Sequence, residues 1–331
     1  MEAVTVFGAG SWGTAVGYLL SKKGIPTSLW GRNAALIGYI DETRRNPEYL
    51  PNVKLPKTLS PTADLAQAAA RSRLWVLSVP SIAMRQLVQQ LKPFCKKGTV
   101  VVNLAKGLEA DTLHTMSQLL ADVLPTPLIY TLSGPSHAEE VGLDYPTSVV
   151  IAGQNLAVGK QLQALFMTDR FRPYLSNDLK GVEYGGTVKN VIALAAGALD
   201  GLGFGDNAKG ALISRGLAEM VRLCVRLGTQ RETLFGLSGL GDLVTTCTSQ
   251  HSRNRAVGEQ LGKGRSLKQI TNEMNMVAEG VFATKTVRAL AHSAQVEMPI
   301  TEACYDVLYK GSPPLEKLTE LMRREAKIEQ L

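Results

Sequence analysis

The sequence predicts two domains of different class: an α/β domain with a parallel sheet over residues 1–178, and an all-α domain over residues 179–331. Three observations predict it. At 331 residues the chain is too long for one ordinary core. Its first half alternates short β-rich apolar runs with amphipathic stretches, the pattern of buried strands separated by helices. Its second half is dominated by helical stretches, and strands become scarce after about Tyr174, which puts the boundary near residues 175–185.

In chain order, Ala3–Phe7 reads as a strand, Thr14–Lys22 as a helix and Pro26–Trp30 as a second strand. Pro51 to Pro61 is punctuated by prolines and reads as a loop. Leu74–Val79, Thr99–Asn103 and Leu128–Leu132 are further β-rich runs. In the second half, Val188–Leu199 is almost wholly apolar after Asn190, which describes a helix buried on most sides. Ala211–Leu227 and Ala283–Ala294 are further helical stretches, and Leu315–Leu331 reads as a charged helix with a solvated face.

Bulk composition narrows the function. The chain is 45% hydrophobic and 20% charged, ordinary for an ordered globular enzyme. The net charge of +7 comes from scattered basic residues with no aromatic-rich stripe, so it favours pockets for anionic ligands over nucleic-acid binding. Cys95, Cys224, Cys247 and Cys304 lie far apart without metal-ligand or redox spacing, so no metal site is expected and the cysteines read as small hydrophobes in a reducing compartment. The N-terminus runs directly into a strand, and no apolar run is long enough for a bilayer, so a cytoplasmic rather than a membrane protein is expected.

Gly8-Ala9-Gly10-Ser11-Trp12-Gly13 follows a strand and opens a helix, the context a dinucleotide fingerprint requires. Gly8 permits the tight turn, Gly10 lets backbone approach a pyrophosphate, Gly13 allows close helix–strand packing, and the helix N-terminus stabilises the anion. The first domain is therefore expected to be of Rossmann type. Asn103–Gly107, with Lys106, and Ser133–Ser136 each lie just beyond a strand's C-terminal end, where ligands of parallel sheets bind; either could also be a plain connection. Lys189 reads as the head of the apolar helical stretch. A helix N-terminus and burial would both lower its pKa and suit it to proton transfer, although a lysine snorkelling to the surface would read the same way. Ser252-Arg253-Asn254 reads as a helix start capped by Ser252 and running to Gly262, a good phosphate site or an ordinary capped helix. Gly239-Leu240-Gly241-Asp242 precedes it, with a flexible loop as the competing reading.

Taken together, the sequence resembles the NAD(P)-dependent glycerol-3-phosphate dehydrogenases of the bacterial and plastid type over nearly its whole length. The matching segments are GAGSWGTA (8–15), NLAKGLE (103–109), SGPSHAEEV (133–141), the long run at 188–216, GLSGLGDLVTTCTSQHSRN (236–254) and VAEGVFAT (277–284). The run at 188–216 and the GLSGLGD and SRN pair are specific to this family. The resemblance implies a Rossmann-type domain followed by a helical domain like the C-terminal domain of 6-phosphogluconate dehydrogenase, with the site between them. It implies hydride exchange between NAD(P)H and dihydroxyacetone phosphate, giving sn-glycerol 3-phosphate for phospholipid synthesis.

By the same resemblance, Lys189 is the proton donor and acceptor at the substrate's C2 oxygen. Lys106, Gly134, Ser136, Lys189, Asp242, Ser252, Arg253 and Asn254 line the substrate site. Ser11, Trp12, Arg32, Lys106, Ala138, Arg253, Val277 and Glu279 contact the cofactor, beside Gly8, Gly10 and Gly13. Ser136 departs mildly from the threonine common in relatives. The segment with Arg44 and Arg45 varies in the family and receives no role. Oligomeric state stays open, a homodimer included.

NAD-specific sites place an acidic residue about twenty positions beyond the glycines. Here the strand ends Leu29-Trp30-Gly31-Arg32-Asn33, with no acid until Asp41. Both cofactors are expected to work, with NADPH preferred through Arg32 pairing with its 2′-phosphate, unless Arg32 only stacks on the adenine. Two rivals stand beside this reading. A related reductase of another small substrate would lack phosphate dependence, and a non-catalytic NAD(P) sensor would show no turnover.

Overall fold

The computed structural model describes residues 3–126, 128–274, 277–326 and 328–329. The chain separates into two compact units, one of residues 1–105 and 116–179, the other of residues 106–115 and 180–331.

Among the described residues, the first unit carries eight strands: β1 Val4–Phe7, β2 Thr27–Trp30, β3 Leu59–Thr62, β4 Leu74–Leu77, β5 Val100–Asn103, β6 Ile129–Ser133, β7 Thr147–Gly153 and β8 Phe171–Ser176. Their order in the sheet is β3-β2-β1-β4-β5-β6-β7-β8. The first six are mutually parallel, in the doubly wound order whose reversal between β1 and β4 opens a crevice beyond the strand ends. The sheet is not wholly parallel, because β7 runs antiparallel to β6 before β8 pairs parallel with β7. The β-branched run Thr147–Gly153 carried the signal for that extra strand.

The Pro51–Pro61 connection is not all loop. Its end forms β3, an edge strand on β2 that tolerates Pro61 because an edge leaves one row of amides unpaired. The helix Ser11–Lys22 follows β1 after the glycine turn. Gly8 sits at φ +120°, where a Cβ would come within 2.5 Å of the Ser78 carbonyl oxygen just beyond β4, and a Cβ on Gly13 would fall 1.8 Å from the Gly8 carbonyl oxygen. Both glycines are needed to seat the helix start against the sheet. Val4, Val6, Leu29, Val76 and Val102, all buried, fill the layer behind it.

The second unit is helical. Its central helix, Leu179–Gly201, spans 23 residues and buries Val188, Val191, Ile192, Ala193 and Ala196 completely. It begins ten residues before Lys189, so Lys189 lies mid-helix and not at a helix start. A Cβ at Gly197 would lie 1.9 Å from the Arg255 carbonyl oxygen, and one at Gly258 1.9 Å from that of Leu194. This pair lets the helix Arg253–Gly262 cross the central helix backbone to backbone. Residues 106–115 belong with these helices: Leu108 and Thr115 form an antiparallel bridge, and Leu108 packs into the core of Tyr184 and Val188. The terminal helix is shorter than the sequence reading, covering Pro314–Met322; of the remainder, Lys327, Gln330 and Leu331 lie outside the described residues. No helix among the described residues is long and apolar enough to cross a membrane.

Candidate active site

The helical unit assembles a buried charge cluster around Asp242. Leu237–Gly241 forms a π-helical turn leading directly into the helix Asp242–Thr248. A Cβ at Gly185 would lie 2.9 Å from the Ser238 carbonyl oxygen, so a glycine on the central helix lets this turn come close, one helical turn before Lys189. Asp242 thereby reaches Lys189 with Oδ1 at 3.1 Å and Lys106 with Oδ2 at 2.6 Å. Asp242 is 2% exposed and Lys189 5%.

Each pKa in the cluster has a physical cause. Burial lowers Lys189 and the neighbouring Lys106 ammonium lowers it further; Asp242 opposes them, and the balance stands at about 8. Burial alone would raise Asp242, but the two ammonium groups outweigh it and hold the carboxyl below the usual range. The lowered pKa of Lys189 therefore comes from burial and Lys106. The expected contribution of a helix N-terminus is absent, since the residue lies mid-helix. Surrounded this way, Lys189 can change protonation near neutral pH, whereas the buried Cys247 thiol, pushed up to about 12, stays protonated.

Thr246 completes the cluster, and the sequence reading missed it. Its hydroxyl accepts from Lys189 Nζ at 2.6 Å and lies 2.6 Å from the Asp242 carbonyl oxygen, to which it donates. Its spacing of four from Asp242 on a helix was the available signal. Lys189 has three ammonium hydrogens; Thr246 and Asp242 take two, leaving one for a ligand oxygen. With two lysines and one aspartate, the cluster carries a net positive charge while Lys189 is protonated, which suits it to an oxygen that becomes negative.

The second constellation joins the first through Asn190, also missed. Asn254 Nδ2 donates to Asn190 Oδ1 at 2.8 Å, and Asn254 Oδ1 accepts from Gly280 N–H at 2.9 Å. Ser252 caps the helix as expected, its hydroxyl accepting from Arg255 N–H at 3.2 Å. Arg253 is exposed at the first helical position, with Nη1 3.4 Å from the Val277 carbonyl oxygen. Glu279 starts the next helix, Glu279–Ser293. Asn254 is thus already engaged in tying two helix starts to the central helix.

In the α/β unit, the remaining candidates follow the C-terminal ends of parallel strands. Gly8 to Gly13, with Ser11 and Trp12, follow β1; Arg32 lies exposed two residues after β2 and close to Tyr49. Gly134 and Ser136 follow β6, with Ser136 Oγ donating to the Gly134 carbonyl at 2.9 Å, and Ala138 starts a short helix. Among the described residues, no cluster of His, Cys, Asp and Glu suits a metal ion.

Residues 3–158 match the family of the NAD-dependent glycerol-3-phosphate dehydrogenase N-terminus, and residues 178–319 that of its C-terminus. The chain belongs to the NAD-dependent glycerol-3-phosphate dehydrogenase family. It is 50% identical over 328 residues to the glycerol-3-phosphate dehydrogenase [NAD(P)+] of Carboxydothermus hydrogenoformans, covering 98% of both chains. It is also 50% identical over 323 residues to that of Moorella thermoacetica, covering 98% of this chain and 96% of the relative. The crystal structure of the Coxiella burnetii glycerol-3-phosphate dehydrogenase superposes with a TM-score of 0.95 at 37% identity, covering 98% of this chain and 99% of that one. The family's fold, a Rossmann-like sheet followed by a helical domain, is the one found here.

Proposed function

We propose that the chain reduces dihydroxyacetone phosphate to sn-glycerol 3-phosphate with NAD(P)H, with Lys189 as the acid, and that NADPH is the preferred cofactor. The observation that carries the reading is the Lys189–Asp242–Lys106 cluster, in which a buried lysine is held near a pKa of about 8 by its surroundings. The family membership supplies the reaction; the cluster supplies the acid.

The residues of the glycine turn fit a dinucleotide. A Cβ at Gly10 would meet nothing within 4 Å, so open space lies over its backbone at a helix N-terminus. Gly8, Gly10, Ser11, Trp12 and Gly13 would hold the phosphates, Arg32 the adenosine end, and Lys106, Ala138, Arg253, Val277 and Glu279 the rest. When bound, the nicotinamide supplies the hydride.

Lys189 gives its proton to the substrate C2 oxygen as negative charge develops there, and takes it back in the oxidative direction. Asp242 and Thr246 fix the ammonium so that its third hydrogen is presented to that oxygen. Lys106 adds positive charge. The start of the Arg253–Gly262 helix, with Ser252 and Arg253, would hold the substrate phosphate, and Gly134 and Ser136 would contact the substrate as they are expected to by family resemblance. Four free cysteines, three of them buried, support a reducing, cytoplasmic location.

The test is kcat/KM with dihydroxyacetone phosphate for NADPH and NADH, in wild type and in Arg32→Asp. The wild type should favour NADPH, by only a few-fold if Arg32 stays as exposed as it is. Arg32→Asp should reverse the ratio by removing the pairing and adding repulsion. A wild type strongly preferring NADH, or an unchanged ratio in the variant, contradicts the role of Arg32.

A further inference from the structure

Asn46 is a polar side chain with no exposed surface, in a segment to which the sequence assigned nothing. It follows the helix Ala34–Thr43, which ends at Arg44 in the left-handed region with φ 58°. The Asn46 amide is fully engaged. Its nitrogen donates to the Ala9 carbonyl oxygen at 2.9 Å and to Thr14 Oγ1 at 2.8 Å, and its oxygen accepts from Tyr49 N–H at 3.3 Å. Ala9 lies inside the glycine turn and Thr14 in the first turn of the helix that follows it.

The bond to Ala9 has a geometric consequence. The Ala9 carbonyl and the Gly10 N–H belong to one peptide unit, and in a planar trans peptide these groups point to opposite sides. Drawing the carbonyl inward turns the Gly10 N–H outward, into the open space over Gly10. The second bond, to Thr14, fixes the same side chain to the first turn of the helix that opens at Ser11.

The rest of the segment reaches other parts of the expected cofactor surface. Tyr49, whose N–H binds Asn46, lies close enough to Arg32 for the guanidinium to oppose the upward shift that burial imposes on the Tyr49 hydroxyl. Leu50 and Val53 pack against Gly142, where a Cβ would come within 2.7 Å of Val53 Cγ2, on the short helix that begins at Ala138.

We propose that Asn46 is a positioning residue for the cofactor phosphates, holding the Ala9–Gly10 peptide so that its N–H faces the pyrophosphate. The proposal rests on the reading of Gly8–Gly13 as the cofactor turn. In Asn46→Asp a carboxylate replaces both donors, repels the Ala9 carbonyl and frees the peptide to turn its oxygen toward the phosphates; Asn46→Ala does so without charge.

The test measures the Kd for NADPH by fluorescence, KM for each substrate, kcat and the melting temperature. Both variants should weaken NADPH binding by roughly tenfold or more, with kcat at saturating NADPH and KM for dihydroxyacetone phosphate within about twofold. A packing role alone would lower the melting temperature and leave the Kd of the folded protein unchanged, which overturns the proposal. Should both variants fail to fold, Thr14→Val takes their place; it removes the acceptor of one Asn46 bond together with the Thr14 hydroxyl's own bond to the Ala9 carbonyl at 3.4 Å, at nearly constant shape. About threefold weaker NADPH binding supports the reading that this network holds the Ala9–Gly10 peptide, and an unchanged Kd overturns it. Gly10→Ala separates the proposal from its premise, because the protein has room for the methyl group and a bound pyrophosphate does not. Unchanged binding in Gly10→Ala overturns the cofactor-turn reading and the proposal with it; weakened binding there with normal binding in the Asn46 variants overturns the proposal alone.

Discussion

Asp242→Asn removes a charge and almost no volume from the centre of the buried cluster. In the wild type, Lys189 titrates near 8 because burial and Lys106 push it down while Asp242, 3.1 Å away, pushes it up. A unit-charge pair at that distance, with an effective dielectric constant of about 20, interacts by about 5 kcal/mol. The amide dipole and relaxation of the side chains recover part of this. If only a quarter is lost, the Lys189 pKa still falls by about one pH unit. The sign follows from the chemistry: carbonyl reduction needs the ammonium, so kcat falls as pH rises through the Lys189 pKa. In Asp242→Asn that fall should begin at least about one pH unit further to the acid side. Turnover at the plateau should also drop by roughly 10²–10⁴, since the proton donor is no longer held in place. The assay is kcat for dihydroxyacetone phosphate reduction from pH 5.5 to about 10, at saturating NADPH, on variant protein shown to be folded. An unchanged alkaline limb, or one moved to higher pH, would refute the argument that Asp242 sets the Lys189 pKa.

Two further outcomes are expected. Glu219 is 2% exposed, accepts from Ile300 N–H at 2.6 Å, and is raised by burial to about 7 despite that bond. Because the folded protein holds this proton more tightly than the unfolded chain, wild-type stability should decline between about pH 4.5 and 7, by about 3 kcal/mol; Glu219→Gln should flatten that window in urea unfolding, and an equal decline in both proteins contradicts the assignment. Arg253→Ala should raise KM for dihydroxyacetone phosphate by roughly 10- to 150-fold while barely affecting unphosphorylated dihydroxyacetone; equal losses with both substrates show that Arg253 does not read the phosphate. NADPH affinity is measured separately in that variant.

Five strands of the α/β half, β1, β2, β4, β5 and β6, were legible in the sequence as short apolar runs with punctuation between them, whereas β3, β7 and β8 were not. The glycine turn was legible in role as well: Gly8 and Gly13 do what the spacing said. Glycine was also where legibility failed. The apolar run at Val188–Leu199 marks only the second half of the central helix; Gly181, Gly185 and Gly186, residues of low helix propensity, lie within its first half, and Gly185 makes room for the turn that delivers Asp242. Lys189 was therefore singled out with half of the wrong reason, helix polarity, and half of the right one, burial. Lys106 was assigned to a loop after a strand, but its link to Asp242 depends on Leu108 anchoring residues 106–115 in the helical core, a long-range packing fact that no local pattern carries. Asn190 was missed because a single polar residue on a buried helix carries no motif of its own, and Thr246 because its only signal was a spacing of four from Asp242. The helix cap at Ser252 was visible because capping is local chemistry.

The central claim is that Lys189 moves the proton, and Lys189→Met tests it most directly. The variant keeps an unbranched side chain one atom shorter, removes the ammonium and leaves Asp242 paired with Lys106 at 2.6 Å. Measured on folded protein with NADPH binding checked by fluorescence, kcat for dihydroxyacetone phosphate reduction should fall by roughly 10²–10⁴ while the Kd for NADPH stays within about twofold. The remaining activity should lose the alkaline limb near pH 8. Near-normal turnover in a folded Lys189→Met protein, with that limb intact, would contradict the account.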